Sequence, residues 1–217
     1  MPHGLDFRRL PARPFKCLMY HIYAIICPVG TRNPMIMKET DMPLLKEEYY
    51  TVDDILALPA GERAELIDGQ MYMMAAPSTR HQRLVGTAYA EIHQFIKNHG
   101  GPCEVFVSPY AVYLAQEEDY VEPDVLVVCD PGKIDDRGCH GAPDWVIEIV
   151  SPSSRSMDYM IKLREYQNEG VREYWIVDPE KDRVLVYNFA SEEVADYTLQ
   201  DAVPSGIYED LTLVFEP

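Results

Sequence analysis

The stretch from Asp144 to Ser153, DWVIEIVSPS, constrains the fold more than any other part of the chain. In an extended segment, Trp145, Ile147 and Ile149 share one face, and Val146, Glu148 and Val150 share the other. Both faces are apolar, as in a central strand covered on both sides. A fold containing it must supply a layer above and a layer below. Glu148 breaks the pattern. An unpartnered carboxylate there would cost several kcal/mol, so Glu148 needs a cation, a proton or an opening to a cleft.

Flanking patterns supply the layers. YTVDDILALP predicts a short helix, with Thr51 as N-cap, Asp54 three residues on and Pro59 as the stop. AELIDGQMYMM predicts a hairpin about Asp68-Gly69, with Ile67 opposite Gln70 and Glu65 opposite Tyr72. From Ser78 to Gly100, Leu84, Val85, Ala88, Tyr89, Ile92, Phe95 and Ile96 recur at helical spacing. CEVFVSPYAVYL predicts one bent strand or two, YVEPDVLVVCD one strand, and PGKIDDRGCHGAP a loop. A helix over about 157–169, the hairpin EYWIVD–RVLVYNF and an edge or covering tail complete the chain. The fold class is α/β, with a central mixed β-sheet flanked by helices, in one domain over residues 45–217.

A second carboxylate gives Glu148 a partner. In VEPDVLVVCD, Asp124 opens another apolar strand, 24 positions before Glu148. Acids from two neighbouring strands offer oxygen ligands of the kind Mg²⁺ takes, one or two carboxylates plus water or phosphate oxygens. Asp144 also follows a proline, but it stands about 13 Å from Glu148 along an extended strand and cannot share an ion with it. On the following helix Lys162 lies one turn after Asp158. It reads either as a solvent-facing pair with Asp158 or as an amine over the strand end, placed to orient water and offset charge on a phosphate. His81 and Gln82 begin the long helix, near an N-terminus that favours phosphate, but His81 shares its face with Leu84 and Ala88 and reads rather as a packed, hydrogen-bonded core histidine.

The net charge is −17, and residues 1–40 carry +4 of opposite sign, so the body is strongly acidic. That excludes broad nucleic-acid binding through a basic face, though not a site that reaches phosphate through a metal ion. Five cysteines without a C-x-x-C pair predict reduced thiols in a cytoplasmic protein, and Cys129, Cys139 and His140 lack the usual zinc spacing. The apolar run Cys17–Val29 follows basic residues, as in a signal peptide. It contains His21, lacks a small-x-small cleavage site and is too short to span a bilayer. Residues 1–44 are therefore expected to be a poorly ordered extension or a start assigned too early, with no membrane partner.

Asp124 in EPD, Glu148 in VIEIVSPSS, Asp158 and Lys162 in DYMIK, and the block GVREYWIVDP together resemble the Uma-two family of endonucleases. AELIDGQMYMMAAPSTRHQ is similar to the N-terminal half of the same pattern, and the likeness covers about residues 45–190. That family belongs to the PD-(D/E)XK restriction-endonuclease-like superfamily. The resemblance implies a restriction-endonuclease-like core with Asp124 and Glu148 binding Mg²⁺, or Mn²⁺ in its place. It also implies phosphodiester hydrolysis of DNA assisted by Lys162. The superfamily lysine expected two residues after Glu148 is Val150 here, and the next helix supplies the amine instead. Glu65, in ELIDG, reads as a further catalytic and metal-binding acid or as a surface charge on the hairpin. Homodimers are common in the superfamily, and the acidic body leaves room for a protein partner that supplies DNA affinity. A second function fits the same acidic surface: a catalytically silent nuclease-like fold acting as a protein-interaction or regulatory module.

Overall fold

The computed structural model of the chain describes residues 49–215. The N-terminal expectations, including the run Cys17–Val29, lie outside the described residues.

In chain order the strands are β1 Ala64–Ile67, β2 Gln70–Met73, β3 Glu104–Val107, β4 Val112–Leu114, β5 Asp119–Val121, β6 Val125–Val128, β7 Ile134–Asp135, β8 Gly138–His140, β9 Trp145–Ile149, β10 Glu173–Asp178, β11 Arg183–Asn188, β12 Glu193–Tyr197, β13 Val203–Pro204 and β14 Thr212–Leu213. The helices are α1 Val52–Leu56, α2 Thr79–His99 and α3 Lys162–Glu169, the last entered through a π-helical turn, Met157–Ile161.

Local chemistry sets these boundaries. The Asp54 carboxylate accepts from both the Thr51 amide and hydroxyl at 2.8 Å, which closes the start of α1. Ser78 accepts from the His81 amide at 3.2 Å and starts α2, and Gly100 at φ 71° ends it. The Asp68-Gly69 hairpin pairs Ile67 with Gln70 and Glu65 with Tyr72, the register its turn predicts.

Twelve of these strands form two six-stranded sheets, both mixed, and β13 pairs with β14 in antiparallel. One six-stranded sheet runs β2-β1-β5-β4-β8-β7 and the other β12-β11-β10-β9-β6-β3. In the second, β9 lies parallel to β10 and antiparallel to β6. The two faces of β9 serve different cores. Trp145, Ile147 and Ile149 pack with Leu84, Val85, Ala88 and Ile92 of α2. Val146 and Val150 pack with Ile67, Val112 and Leu114 of the first sheet and with Tyr166 of α3. Ile55 of α1 covers Leu66, Tyr113 and Tyr120 on the far side of that sheet. Glu148 thus stands between two sheets.

Four expectations change. The covering layer on the Glu148 face is largely a second sheet. YVEPDVLVVCD divides at Glu122–Asp124 into β5 and β6, which belong to different sheets, as do β3 and β4. The segment expected as a loop contains the small hairpin β7–β8, and β8 pairs in parallel with β4. The reduced-thiol reading fails at Cys103 and Cys129, which are disulfide-bonded. Glu104 pairs with Val128, so the two cysteines face each other at the strand ends. Cys139 is free and buried, and burial pushes its thiol up to about 11.

At Gly138, φ is 146°, and an added Cβ would overlap the Ala111 carbonyl oxygen and lie 2.9 Å from the Ala111 Cβ. Gly138→Ala should cost about 1–3 kcal/mol by overpacking the β4–β8 contact, read as a lower urea midpoint with an unchanged slope. No helix among the described residues is long and apolar enough to cross a membrane.

Candidate active site

The pairing of β6 with β9 sets Val125 opposite Ile147, so Asp124 comes opposite Glu148 at the ends of the two strands. The Asp124 amide donates to Glu148 Oε2 at 3.3 Å, and the Ile149 amide donates to Asp124 Oδ2 at 2.8 Å. Both acids line a cleft of about 650 Å³ between the β2–α2 segment and the segment Ile149–Ser154.

Lys162 enters from the first residue of α3. Its Nζ donates to Glu148 Oε1 at 2.8 Å, lies 2.9 Å from Glu65 Oε1 and stands 3.9 Å from Asp158 Oδ1. It is 4% exposed, so the solvent-facing pair with Asp158 is not formed. Glu65 is also buried, accepts the Glu122 amide at 3.0 Å, and is not a surface charge. Tyr166, one turn beyond Lys162, donates to Glu148 Oε1 at 2.9 Å. The π turn brings Asp158 inward as well, where it accepts from Ser154 Oγ at 2.7 Å. Asp144 is outside this group: it accepts from the Cys129 amide at 2.8 Å and from Arg172 at 3.1 Å.

One ammonium therefore serves three buried carboxylates. Burial opposes the Lys162 charge, but Glu148, Glu65 and Asp158 outweigh it and hold its pKa well above the ordinary value. Burial drives the Glu148 carboxyl well above its usual range; Lys162 opposes this, and Asp124, Asp158 and Glu65 add to it. Burial likewise lifts Asp158 to about 7 against the pull of Lys162. The directions agree: the acids favour the ammonium form of Lys162, and burial with mutual repulsion favours protonation among the acids.

His81, read from the sequence as more a packed core histidine than a site residue, lies at the site. Its Nε2 lies 3.1 Å from Asp124 Oδ2, and it lines the cleft. Burial disfavours the imidazolium, yet the Asp124 hydrogen bond and charge prevail and raise its pKa. The signal was its place in the first turn of α2, where the helix face extends toward the strand ends.

Asp124 and Glu148 present hard oxygen donors on adjacent strands at a cleft, the donor chemistry that suits Mg²⁺ or Mn²⁺. The sequence reading missed a second acidic group. Asp68, Asp119 and Glu165 place carboxylate oxygens within 4.8 Å of one another. The Asp68 amide donates to Asp119 Oδ1 at 2.9 Å. Burial first, then the neighbouring Asp119, pushes Glu165 up to about 7. A folded pKa above the unfolded value means that the folded state binds more protons between 4.5 and about 7, so this pair removes stability as pH rises through that window. Glu165→Gln should flatten that decline. Thermal melts should show the variant gaining on the wild type from about pH 5 to about pH 8.

The profile of the Uma2 family, described as "Putative restriction endonuclease", matches residues 47–215. Two uncharacterized proteins of Synechocystis sp. (strain PCC 6803) are related. One is 29% identical over 130 residues, spanning 58% of this chain and 66% of that protein. The other is 28% identical over 147 residues, spanning 66% of this chain and 80% of that protein. A crystal structure from Anabaena variabilis ATCC 29413, named as a putative nuclease belonging to DUF820, superposes with a TM-score of 0.63 at 21% identity. It covers 76% of this chain and 94% of that one, and it shows the shared fold. With a profile match that spans both sheets, the three helices and the cleft between them, the chain belongs to the Uma2 family of restriction-endonuclease-like proteins.

Proposed function

We propose that this chain is a divalent-metal-dependent endonuclease that hydrolyses phosphodiester bonds in DNA, with Mg²⁺ as the ion and Mn²⁺ able to replace it. The observation that carries the reading is Lys162, held at 2.8 Å from Glu148 and 2.9 Å from Glu65 beside Asp124 in one cleft. Asp124 and Glu148 would hold the ion, and Glu65 adds a third acid on the other side of Lys162. The bound ion would supply Lewis acidity and a more acidic water.

The protein's own groups do the rest. An ammonium has three N–H donors, and Glu148 and Glu65 engage two. The third is available to the attacking water or to a phosphate oxygen as negative charge builds there. Tyr166 and Lys162 together fix the Glu148 carboxylate, so it needs no reordering when substrate arrives. His81 orients Asp124 from the start of α2. In this reading residues 45–217 form the catalytic unit. A homodimer or a partner protein would supply DNA affinity that the acidic body lacks.

The second reading is a catalytically silent module, favoured by the same acidic surface. Supercoiled plasmid incubated with Mg²⁺ or Mn²⁺ separates the two. Wild type should nick or linearise it, and Asp124→Ala and Lys162→Ala should lose the activity. Unchanged cleavage by Asp124→Ala would reject the nuclease site as drawn.

A further inference from the structure

Asp124 differs from the other acids of the cleft. Glu148 and Glu65 share the Lys162 ammonium at 2.8 and 2.9 Å. Among the described residues no Lys or Arg nitrogen lies within 4.0 Å of Asp124, and its basic neighbour is His81, with Nε2 at 3.1 Å from Oδ2.

Packing fixes that ring. His81 stands one turn before Leu84 and Val85, and α2 lays Leu84, Val85, Ala88 and Ile92 in one core with Trp145, Ile147 and Ile149 of β9. A core helix, not a loop, therefore holds the imidazole at the strand ends, where it borders the cleft with Asp124 and Glu148. The ring brings a nitrogen donor to a group of carboxylates. Imidazole binds a metal ion in its neutral form, so it adds a ligand without adding charge.

The spacing suits that role. Two ligand atoms at right angles on an octahedral ion, each about 2.1 Å from it, stand about 3.0 Å apart. His81 Nε2 and Asp124 Oδ2 are 3.1 Å apart. The same spacing serves a hydrogen bond between ring and carboxylate when no ion is bound.

We infer that His81 is a metal ligand alongside Asp124 and Glu148, and that its imidazole shifts the preference of the site from Mg²⁺ toward Mn²⁺ and the later divalent transition ions. This rests on the metal-dependent reading and adds a donor to it. Mg²⁺ takes oxygen donors and keeps its waters, whereas imidazole suits first-row transition ions.

The test uses the full chain with Mn²⁺ and no nucleic acid. Pulsed electron paramagnetic resonance of the bound Mn²⁺ should show coupling to an imidazole nitrogen. The coupling should vanish in His81→Gln. It should persist in His140→Gln, which alters a second histidine beside carboxylates, those of Glu117 and Asp135. By titration calorimetry, His81→Gln should lose about 10-fold or more in Mn²⁺ affinity and less than about 3-fold in Mg²⁺ affinity. Thermal midpoints without metal check the fold, and His81→Ala covers the case in which the glutamine variant fails to fold. No Mn²⁺ binding, Mn²⁺ bound without nitrogen coupling, coupling that survives loss of His81, or equal losses for the two ions would each overturn the assignment. Bound Mn²⁺ without that coupling, beside intact plasmid cleavage, would leave the nuclease reading standing. Nitrogen coupling lost with His81, but no cleavage by any divalent ion, would remove the nuclease reading and keep the ligand.

Discussion

Lys162→Met should destabilise the protein by about 3–5 kcal/mol near pH 8, and most of that loss should vanish near pH 5. The methionine fills similar space, so little of the cost comes from packing. It comes from Glu148 and Glu65, left buried with no cation within 3 Å. Without Lys162 the Glu148 carboxyl, already raised by burial, rises further. A folded pKa above the unfolded one means the folded state binds more protons, so stability falls as pH rises across the interval between them. Acid therefore rescues the variant by supplying the proton that replaces the ammonium. Urea titrations at the two pH values measure this directly. A small, pH-independent loss would show that Lys162 does not neutralise the buried acids. The same variant should lose nuclease activity at every pH, because protonated acids neither hold an ion nor position a water.

The strength of this prediction depends on geometry that was only partly legible in the sequence. Alternation at 145–150 correctly assigned each residue of β9 to its face, because a strand buried on both sides leaves no freedom of register. The Asp68-Gly69 turn and the caps of α1 and α2 were legible for a similar reason: each is decided by a few adjacent residues. Asp124 was found as the mate of Glu148 because both break apolar strands near their ends. The inward aim of Lys162 could not be read. Helical spacing pairs it with Asp158 whether the pair faces solvent or core, and the π turn at 157–161 selects the core. The second sheet was hidden because β4, β5, β7 and β8 are two or three residues long, too short for a periodic pattern. The Cys103–Cys129 bridge depends on the register of β3 and β6, and the Asp68–Asp119–Glu165 group on three distant segments. Neither has a signature in spacing.

Glu148→Gln should raise the stability of the metal-free protein on the order of 1 kcal/mol at about pH 8 while lowering nuclease activity about 10²–10³-fold. The two effects have one cause. Glu65, Glu148 and Asp158 surround a single ammonium, Asp124 adds its charge to that of Glu148, and burial already favours the protonated form of Glu148. Glutamine imitates that form without requiring a proton. It can still accept from Lys162 and Tyr166 through its amide oxygen, so the contacts at 2.8 and 2.9 Å have a replacement acceptor. Because the raised carboxyl makes wild-type stability fall as pH rises above the ordinary glutamate range, the advantage of the variant should grow with pH and disappear in acid. Added Mn²⁺ should reverse the order: it should raise the melting point of the wild type, where Asp124 and Glu148 both carry charge for it, and do little for the variant. If Glu148→Gln is instead less stable at every pH and unresponsive to the loss of charge, Glu148 serves as the structural partner of Lys162, and Asp124 with His81 must carry the metal site alone.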